Sequence, residues 1–435
     1  MAGELNVTGL VNGFDMNSVL QQIQSLKSQQ VLLLQQKQQS ISDKKSAISD
    51  IQTILKNIQN TVNNITNPNI AYAKSVNLSN PNIANVNITD PTAVNVGTFS
   101  LTVNQLAQND VYATSNAVSD KNAPLGLSSG TLTIRIKGID YNVVYDNTYS
   151  LQALSDQINN VAQTYNGDFR ASVVNVGTDS NPQYKLVISG TKTGSENALT
   201  ISDSGNLVST LGLNHIKTAQ DAQIQYEGLT INSSTNTFNN VPGLSITVNQ
   251  TGNTTVAVNQ DSKPITDTLN SIISGYNNLV NTLNKETGKD GRLSGEYSLN
   301  IVKSGLYRQL EPLLTAGLIK YDRTNGNISL NTDKLQTMIQ NNPSELKDIL
   351  TTVKNNVNDY LKDYTQTSGV LDSKIKSYDK QINSIKEMID QVNKRVQMEI
   401  QTLKNQFVYM QTLQAQYNDI SARIQATFGL QTNKQ

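Results

Sequence analysis

The chain contains no cysteine, no tryptophan and only one histidine. Without thiols, disulfides, thiolate nucleophiles and cysteine-based metal sites are excluded together. A single imidazole, His215, excludes histidine pairs and any triad that needs a second His. It sits in Leu213-Asn214-His215-Ile216, read as a Gly/Asn-rich loop, where a lone histidine is a surface or packing residue. Lys plus Arg equals Asp plus Glu, at 34 each, so no net field recruits nucleic acid or an anionic membrane. No apolar run has the length of a membrane span. The start of the chain lacks a basic segment followed by an apolar one, so no conventional signal peptide is expected. Asp322-Arg323-Thr324-Asn325-Gly326 resembles a calcium loop only superficially, because it lacks the alternating ligands and the terminal Glu. Gly3, Gly9 and Gly13 follow no strand, so no phosphate loop is indicated. No catalytic residue, cofactor or metal is expected.

What is abundant is Asn, Gln, Ser and Thr, threaded by apolar ladders. The longest runs from Leu371 to about Phe428. Ile375, Tyr378, Ile382, Ile385, Ile389, Val392 and Val396 step by three and four, and the ladder resumes at Ile400, Leu403, Phe407 and Met410. It continues through Leu413, Tyr417, Ile420 and Ile424 to Phe428. That spacing is a coiled-coil seam. The double step of four at Val392, Val396 and Ile400 is a stutter that locally unwinds the supercoil. Bracketed by Gly369 and Gly429, the helix would be on the order of 85 Å long and needs partner helices. A second seam, Ile48, Ile51, Leu55, Ile58, Val62 and Ile65, stops at Asn67-Pro68. A third is Ile265, Leu269, Ile272, Tyr276, Leu279 and Leu283. Two of the three are near the termini, so the chain leaves a helical stalk, builds something else and returns.

At the start, Gly9-Leu10-Val11-Asn12-Gly13-Phe14-Asp15 precedes a helix with Asp15 as N-cap. That helix carries Met16, Val19, Leu20, Ile23 and Leu26, then Val31 to Leu34. From Gln35 to Lys45 it is too polar to be held by its own propensity. A break is expected there, with residues 1–40 weakly ordered in the monomer and ordering against other copies.

From Ala71 to about Gln260 the period becomes two. Phe99–Val103, Leu132–Ile136, Tyr141–Tyr145, Ser172–Val176, Lys185–Ile188, Leu229–Ile231 and Leu244–Val248 read as strands. Asn166-Gly167, Gly177, Gly190 and Gly252 read as turns. One amphipathic helix starts at Ser150 and carries Leu151, Leu154, Ile158 and Val161. Beyond the third seam come Asp290-Gly291 as a turn, a helix through Leu299, Val302, Leu306 and Leu310, and a hairpin around Asn325-Gly326. Asn342-Pro343-Ser344-Glu345 then opens a helix as N-cap, N1 proline and N3 glutamate. That helix carries Leu346, Ile349, Val353, Val357, Tyr360 and Tyr364. The fold class is α+β multidomain: a long coiled-coil stalk from both termini, with a mainly antiparallel β head inserted between them. The expected domains are terminal helices 1–40 and 405–435 (an outer leg), a stalk 41–70 and 263–404, a β-rich head domain 71–117 and 218–262, and a second α+β head domain 118–217.

The order of these parts resembles the flagellar filament cap protein, or hook-associated protein 2, family over nearly the whole chain. Gly9 to Asn17 looks like its N-terminal signature. Gly97-Thr98-Phe99-Ser100-Leu101-Thr102-Val103 with Gln105-Leu106-Ala107 is similar to its first strand repeat. Asp221-Ala222 with Gly228-Leu229-Thr230-Ile231, and Val241-Pro242-Gly243-Leu244-Ser245-Ile246-Thr247-Val248, are similar to its return into the head. Tyr276-Asn277-Asn278-Leu279, Gly291-Arg292-Leu293-Ser294-Gly295-Glu296, Gly317-Leu318-Ile319 and the helix around Phe407, Met410 and Leu413 match its stalk. The head is compact, without the accessory domains of longer members.

The resemblance implies a non-enzymatic assembly factor at the distal end of the bacterial flagellar filament. It would promote flagellin folding and insertion and prevent flagellin loss. Its implied partners are itself, as a ring that is commonly a pentamer and ranges from tetramer to hexamer, flagellin, and a cytoplasmic export chaperone on the C-terminal helix. The implied route is flagellar type III export without a cleaved leader. Candidate residues for filament contact and assembly are Leu20, Ile23, Leu26, Phe407, Met410, Leu413, Tyr417, Ile420, Ile424 and Phe428. Two other readings stand beside it: a hook–filament junction protein, separable by stoichiometry and position on the filament, and a surface adhesin whose head binds glycan or mucin, separable by a binding assay on residues 71–262.

Overall fold

The computed structural model describes residues 16–429, with side chains from Ser18 to Thr427. Asp15, the Gly9 to Phe14 motif and the Phe428 side chain lie outside the described residues. The chain divides into two compact units, Asn67–Ile265 and a second built from the flanking segments up to Thr66 and from Thr266 onward.

In chain order, α1 (Met16–Asn64) and the short α2 (Pro68–Ala71) lead into β1 (Lys74–Leu78), β2 (Ala84–Ile88), β3 (Gly97–Gln105) and β4 (Asn109–Thr114). Next come β5 (Gly130–Ile136), β6 (Ile139–Tyr145), α3 (Leu151–Thr164), β7 (Phe169–Asn175), β8 (Tyr184–Thr193), β9 (Thr200–Asp203), α4 (Leu207–Leu211) and β10 (Leu213–Lys217). The strand-rich stretch ends with β11 (Ala222–Tyr226), β12 (Leu229–Ser233), β13 (Thr237–Val241), β14 (Leu244–Val248) and β15 (Gly252–Gln260). The return is helical: α5 (Lys263–Thr287), α6 (Asn300–Gln309), α7 (Glu311–Thr315), the hairpin β16 (Ile319–Tyr321) and β17 (Ile328–Leu330), then α8 (Thr332–Asn341), α9 (Pro343–Thr365) and α10 (Val370–Gly429).

In the helical unit the second seam is fully used. Ile48, Ile51, Leu55, Ile58, Val62 and Ile65 are all 0–2% exposed, as are Leu269, Ile272, Leu279 and Leu283 of α5. Burying each such side chain is worth about 1.5–3 kcal/mol. A Cβ at Gly275 would fall 2.7 Å from Ile58 Cγ1, so glycine there lets α1 and α5 approach closely. Helix α9 buries Leu346, Leu350, Val353, Val357 and Leu361. Its seam therefore runs through Leu350 and Leu361 rather than Ile349 and Tyr364. Asn342 stands at its N-cap, but its side chain accepts no backbone bond; its amide instead donates to Glu345 Oε2 at 3.2 Å. Helix α8 was not foreseen; it is capped by Asn331, which accepts from Lys334 N.

The break expected at Gln35–Lys45 is absent, and α1 is continuous over 49 residues. Tertiary contact overrides the poor propensity. Ile41 and Ala47 are buried, and Lys45 Nζ donates to Asp379 Oδ1 of α10 at 2.5 Å. The hairpin turn also differs. Only Gly326 takes positive φ, and the loop is wide, with Gly326 N bonding Asp322 O at 2.9 Å while Tyr321 pairs with Ile328.

Every strand pair given a register in the described residues is antiparallel. The strand-rich unit has two cores. The first joins a five-stranded sheet, ordered β1-β15-β3-β11-β12, to a three-stranded sheet, β13-β14-β2. Leu101, Val103, Ile224, Phe238, Ile246, Val256 and Val258 meet in its centre. The second joins β10-β4-β8-β7 and β6-β5-β9 to the apolar face of α3, around Leu132, Ile134, Val143, Leu154, Ile158, Leu186 and Ile188. Ser150 caps α3 by accepting from Ala153 N at 3.2 Å. Strand β4 pairs with β8 and β10, so the second core takes in Asn109–Thr114, ahead of the Val118 boundary read from the sequence. Gly190 is not a turn; it lies inside β8, opposite Phe169. Two tight hairpins have Lys137-Gly138 and Glu227-Gly228 at positive φ, the geometry of a type I′ turn.

His215 is on strand β10, not in a loop. Its ring stacks on Tyr112, with centroids 4.3 Å apart, and its Nε2 meets Asp110 Oδ1. Asp110 is fully buried and also accepts from Leu199 N at 2.6 Å, so the lone histidine, itself partly exposed, partners a buried carboxylate at the edge of the second core.

Candidate assembly interface

Helices α1 and α10 run antiparallel. The ion pairs Lys45–Asp379 and Lys27–Glu399, at 2.5 and 3.5 Å, show the register. Followed along the pair, that register puts Ile23 level with Leu403, and Leu20 level with Phe407.

Burial of the α10 ladder falls off along its length. Leu371, Tyr378 and Ile385 are buried, whereas Ile389, Val392, Val396, Ile400 and Leu403 are half-buried. At the stutter the pair opens into a groove of about 710 Å³, bordered by Gln24, Ser28, Gln35, Asn393, Val396 and Ile400. These polar side chains do not interdigitate as a dry seam, so the helices are held apart there.

Further along α10, Phe407 is buried, at 3% exposure. Beyond it the stripe changes character: Met410, Leu413, Tyr417, Ile420 and Ile424 are 45–74% exposed. These five share one helix face by their steps of three and four. The described part of α1 begins at Met16, which the register places near Met410, so this stripe lies past the described partner helix. Leu20 and Ile23 are half-buried in the pair. Leu26 is not with them: it is 66% exposed on the outer flank of α1, where Leu33 follows seven residues on. The structure thus brings Leu20, Ile23 and Phe407 together and leaves Leu26 apart. The side chain of Phe428 lies outside the described residues. Sequence reasoning missed Tyr409 and Met398, both strongly exposed on α10, because neither falls on the ladder. A contiguous apolar surface of this kind, rimmed by polar residues, marks an interaction site.

Among the described residues no cluster of three or more His, Asp or Glu could hold a metal, and no helix is long and apolar enough to cross a membrane.

The family description Flagellar hook-associated protein 2 N-terminus matches residues 12–110, and Flagellar hook-associated protein 2 C-terminus matches residues 219–419. The gap between them coincides with the second core of the strand-rich unit. The chain is 30% identical over 365 residues to flagellar hook-associated protein 2 of Aquifex aeolicus, covering 80% of each. It is 22% identical over 381 residues to that of Escherichia coli K12, covering 78% of this chain and 80% of the relative. The crystal structure of the flagellar cap protein FliD D1-D2-D3 domains from Escherichia coli shares the fold, with a TM-score of 0.61 and 23% identity over 77% of this chain and 99% of that one. Two matched ends, a relative at this identity over four-fifths of its length and a shared fold agree: the chain belongs to the flagellar hook-associated protein 2 family, structural proteins of the flagellar cap.

Proposed function

We propose that this chain is a structural subunit of the cap at the distal end of the flagellar filament. Copies form a ring, with five as the expected number and four to six as the range. The strand-rich unit serves as the plate, and the α1–α10 pair as a leg that reaches the filament. Under the plate, flagellin is retained, folds and is inserted, which prevents its loss. The outer leg, residues 1–40 and 405–435, gains its full packing only against neighbouring subunits, the described part of α1 being already helical against α10. Before export through the flagellar type III route, a cytoplasmic chaperone covers residues 400–435.

The observation that carries this reading is the stripe from Met410 to Ile424, open to solvent at the end of a paired-helix leg in a chain of this family. An apolar anchor of that size is covered in the working assembly. Immunogold labelling of filaments together with particle images of the purified protein tests it. Label at filament tips and a closed ring support the proposal. Label at the hook–filament junction, or a monomer at all concentrations, overturns it.

A further inference from the structure

The motif Gly291-Arg292-Leu293-Ser294-Gly295-Glu296 marks the family resemblance, yet nothing in the leg contact uses it. Its geometry is closely specified. Arg292 holds Glu286 with two bonds, at 2.8 and 2.9 Å, and reaches Asp50 of α1 at 3.0 Å. Four residues on, Glu296 accepts from Lys374 Nζ of α10 at 2.6 Å and from Tyr378 Oη at 3.3 Å. The loop between is tied down by its own bonds and by one buried side chain. Leu293 is fully buried and its N–H donates to Glu286 O at 2.7 Å, while Glu296 N donates to Leu293 O at 2.9 Å. A Cβ on Gly291 would stand 2.2 Å from Glu286 O, so only glycine lets the loop close this tightly.

One arm therefore grips α1 and the other grips α10 at the same level of the pair, as the Lys45–Asp379 register shows. Further along, the seam opens into a groove where Val31, Leu32, Val396 and Ile400 stand among Gln24, Ser28, Gln35 and Asn393, so its apolar residues interlock only loosely and set register weakly. Apolar knobs specify register; facing amides do so weakly.

We propose that residues 286–296 form an ionic clasp that sets the register of α1 against α10 and so aims the free end of the pair. Charge supports it. The Arg292 guanidinium, then Lys285, hold Glu286 below the ordinary carboxylate range. Lys374, with Tyr378 and Lys44, does the same for Glu296. Asp50 is the remaining charged group facing Arg292. The consequence for aiming rests on the leg reading above; the register claim does not.

The test uses the full chain, which has no native cysteine, so cysteines introduced at the exposed Gln29 and Gln397 label uniquely. Spin-label distances across the pair are then compared in the parent, in Arg292→Met with Glu296→Gln, and in Ile51→Val as a core control. These positions are roughly 30 Å along the helices from the clasp at 1.5 Å per residue. The clasp variant is expected to broaden the distribution and move its mean by up to about one helical turn, roughly 5 Å. The core control is expected to lower the melting temperature without broadening. Should the double variant fail to fold, Glu296→Gln alone, at a partly exposed site, gives the same reading with smaller amplitude. An unchanged distribution in a folded clasp variant overturns the clasp, because the buried seam would then set register alone. That result leaves the capping proposal standing. A broadened distribution with full capping would instead keep the clasp and separate it from aiming.

Discussion

The sharpest test of the leg is a pair of truncations on the same helix, Ile385→Ala and Tyr417→Ala. Ile385 is 3% exposed, in the stretch of α10 level with the buried Ile41 of α1. Removing its side chain leaves a cavity, and Ile to Ala in a packed core costs about 2–5 kcal/mol. A paired-helix site collapses partly, so about 2–3 kcal/mol is expected. At 2–4 °C per kcal/mol for a unit of this size, the melting temperature should fall by roughly 4–12 °C. Tyr417 is 74% exposed and lies past the described partner helix. Surface truncations fall within about 0.5 kcal/mol, so its melting curve should move by about 2 °C or less. Capping should respond in the opposite order. If Tyr417 is a buried anchor in the assembly, its loss costs about 2 kcal/mol, roughly 30-fold in affinity for the filament tip. The assay is circular dichroism melting of both variants, with counts of capped filaments and of flagellin released to the medium. Equal destabilisation by both changes, with capping intact for Tyr417→Ala, would refute the view that this stripe is covered only in the assembled cap.

Further outcomes follow from particular contacts. The carboxyls of Glu286 and Glu296 are held below the ordinary 4.5 by Arg292 and Lys374, so both stay ionised in the fold at pH values where the unfolded chain takes up protons. Their stabilisation is present above about pH 4.5 and is lost as pH falls through the lowered folded values; melting from pH 7 to 3 should show an acid loss that Arg292→Met flattens. Gly291→Ala drives a Cβ into the Glu286 carbonyl, a backbone atom that cannot swing away, and should destabilise the helical unit by about 1–3 kcal/mol in denaturant titration. Deleting residues 1–40 should leave the cooperative transition of the strand-rich unit intact, because both of its cores lie within Asn67–Ile265, while filament capping falls. A pull-down with residues 400–435 should retain the export chaperone, and one with residues 71–262 should not.

The helical part was legible because its signal is long. Six consecutive seam positions from Ile48 to Ile65 leave one face to bury, and every one is buried. The strand-rich part was legible where apolar residues alternate or cluster within one strand, as in β3, β5, β6, β8 and β14. Strand β15 offers only Val256, Ala257 and Val258 among Asn, Gln and Thr, and β11 is only five residues long, with Ala222, Ile224 and Tyr226 between glutamines. They become strands because β3 lies between them and pairs with both. That information sits more than a hundred residues away in the chain. The turns Lys137-Gly138 and Glu227-Gly228 hid for a different reason: glycine supplies the second positive φ, but Lys and Glu in the first position are forced there by the hairpin.

At the candidate site, periodicity identified the stripe but not where it changes from seam to open surface. Nothing in the steps Leu403, Phe407, Met410 distinguishes a residue at 3% exposure from one at 51%. The distinction comes from the partner: the register seen at Lys27–Glu399 carries the pairing to Phe407, and the described α1 ends near Met410. Leu26 shows the converse. Its residue type suits an anchor, yet its phase on α1 turns it away from α10. The polar stretch Gln35–Lys45 failed as a helix breaker for the same reason, since its Lys45 and Ile41 are satisfied by α10 and not by their own helix. In a chain whose two ends pair with each other, propensity reads each end alone, and register decides what the ends present.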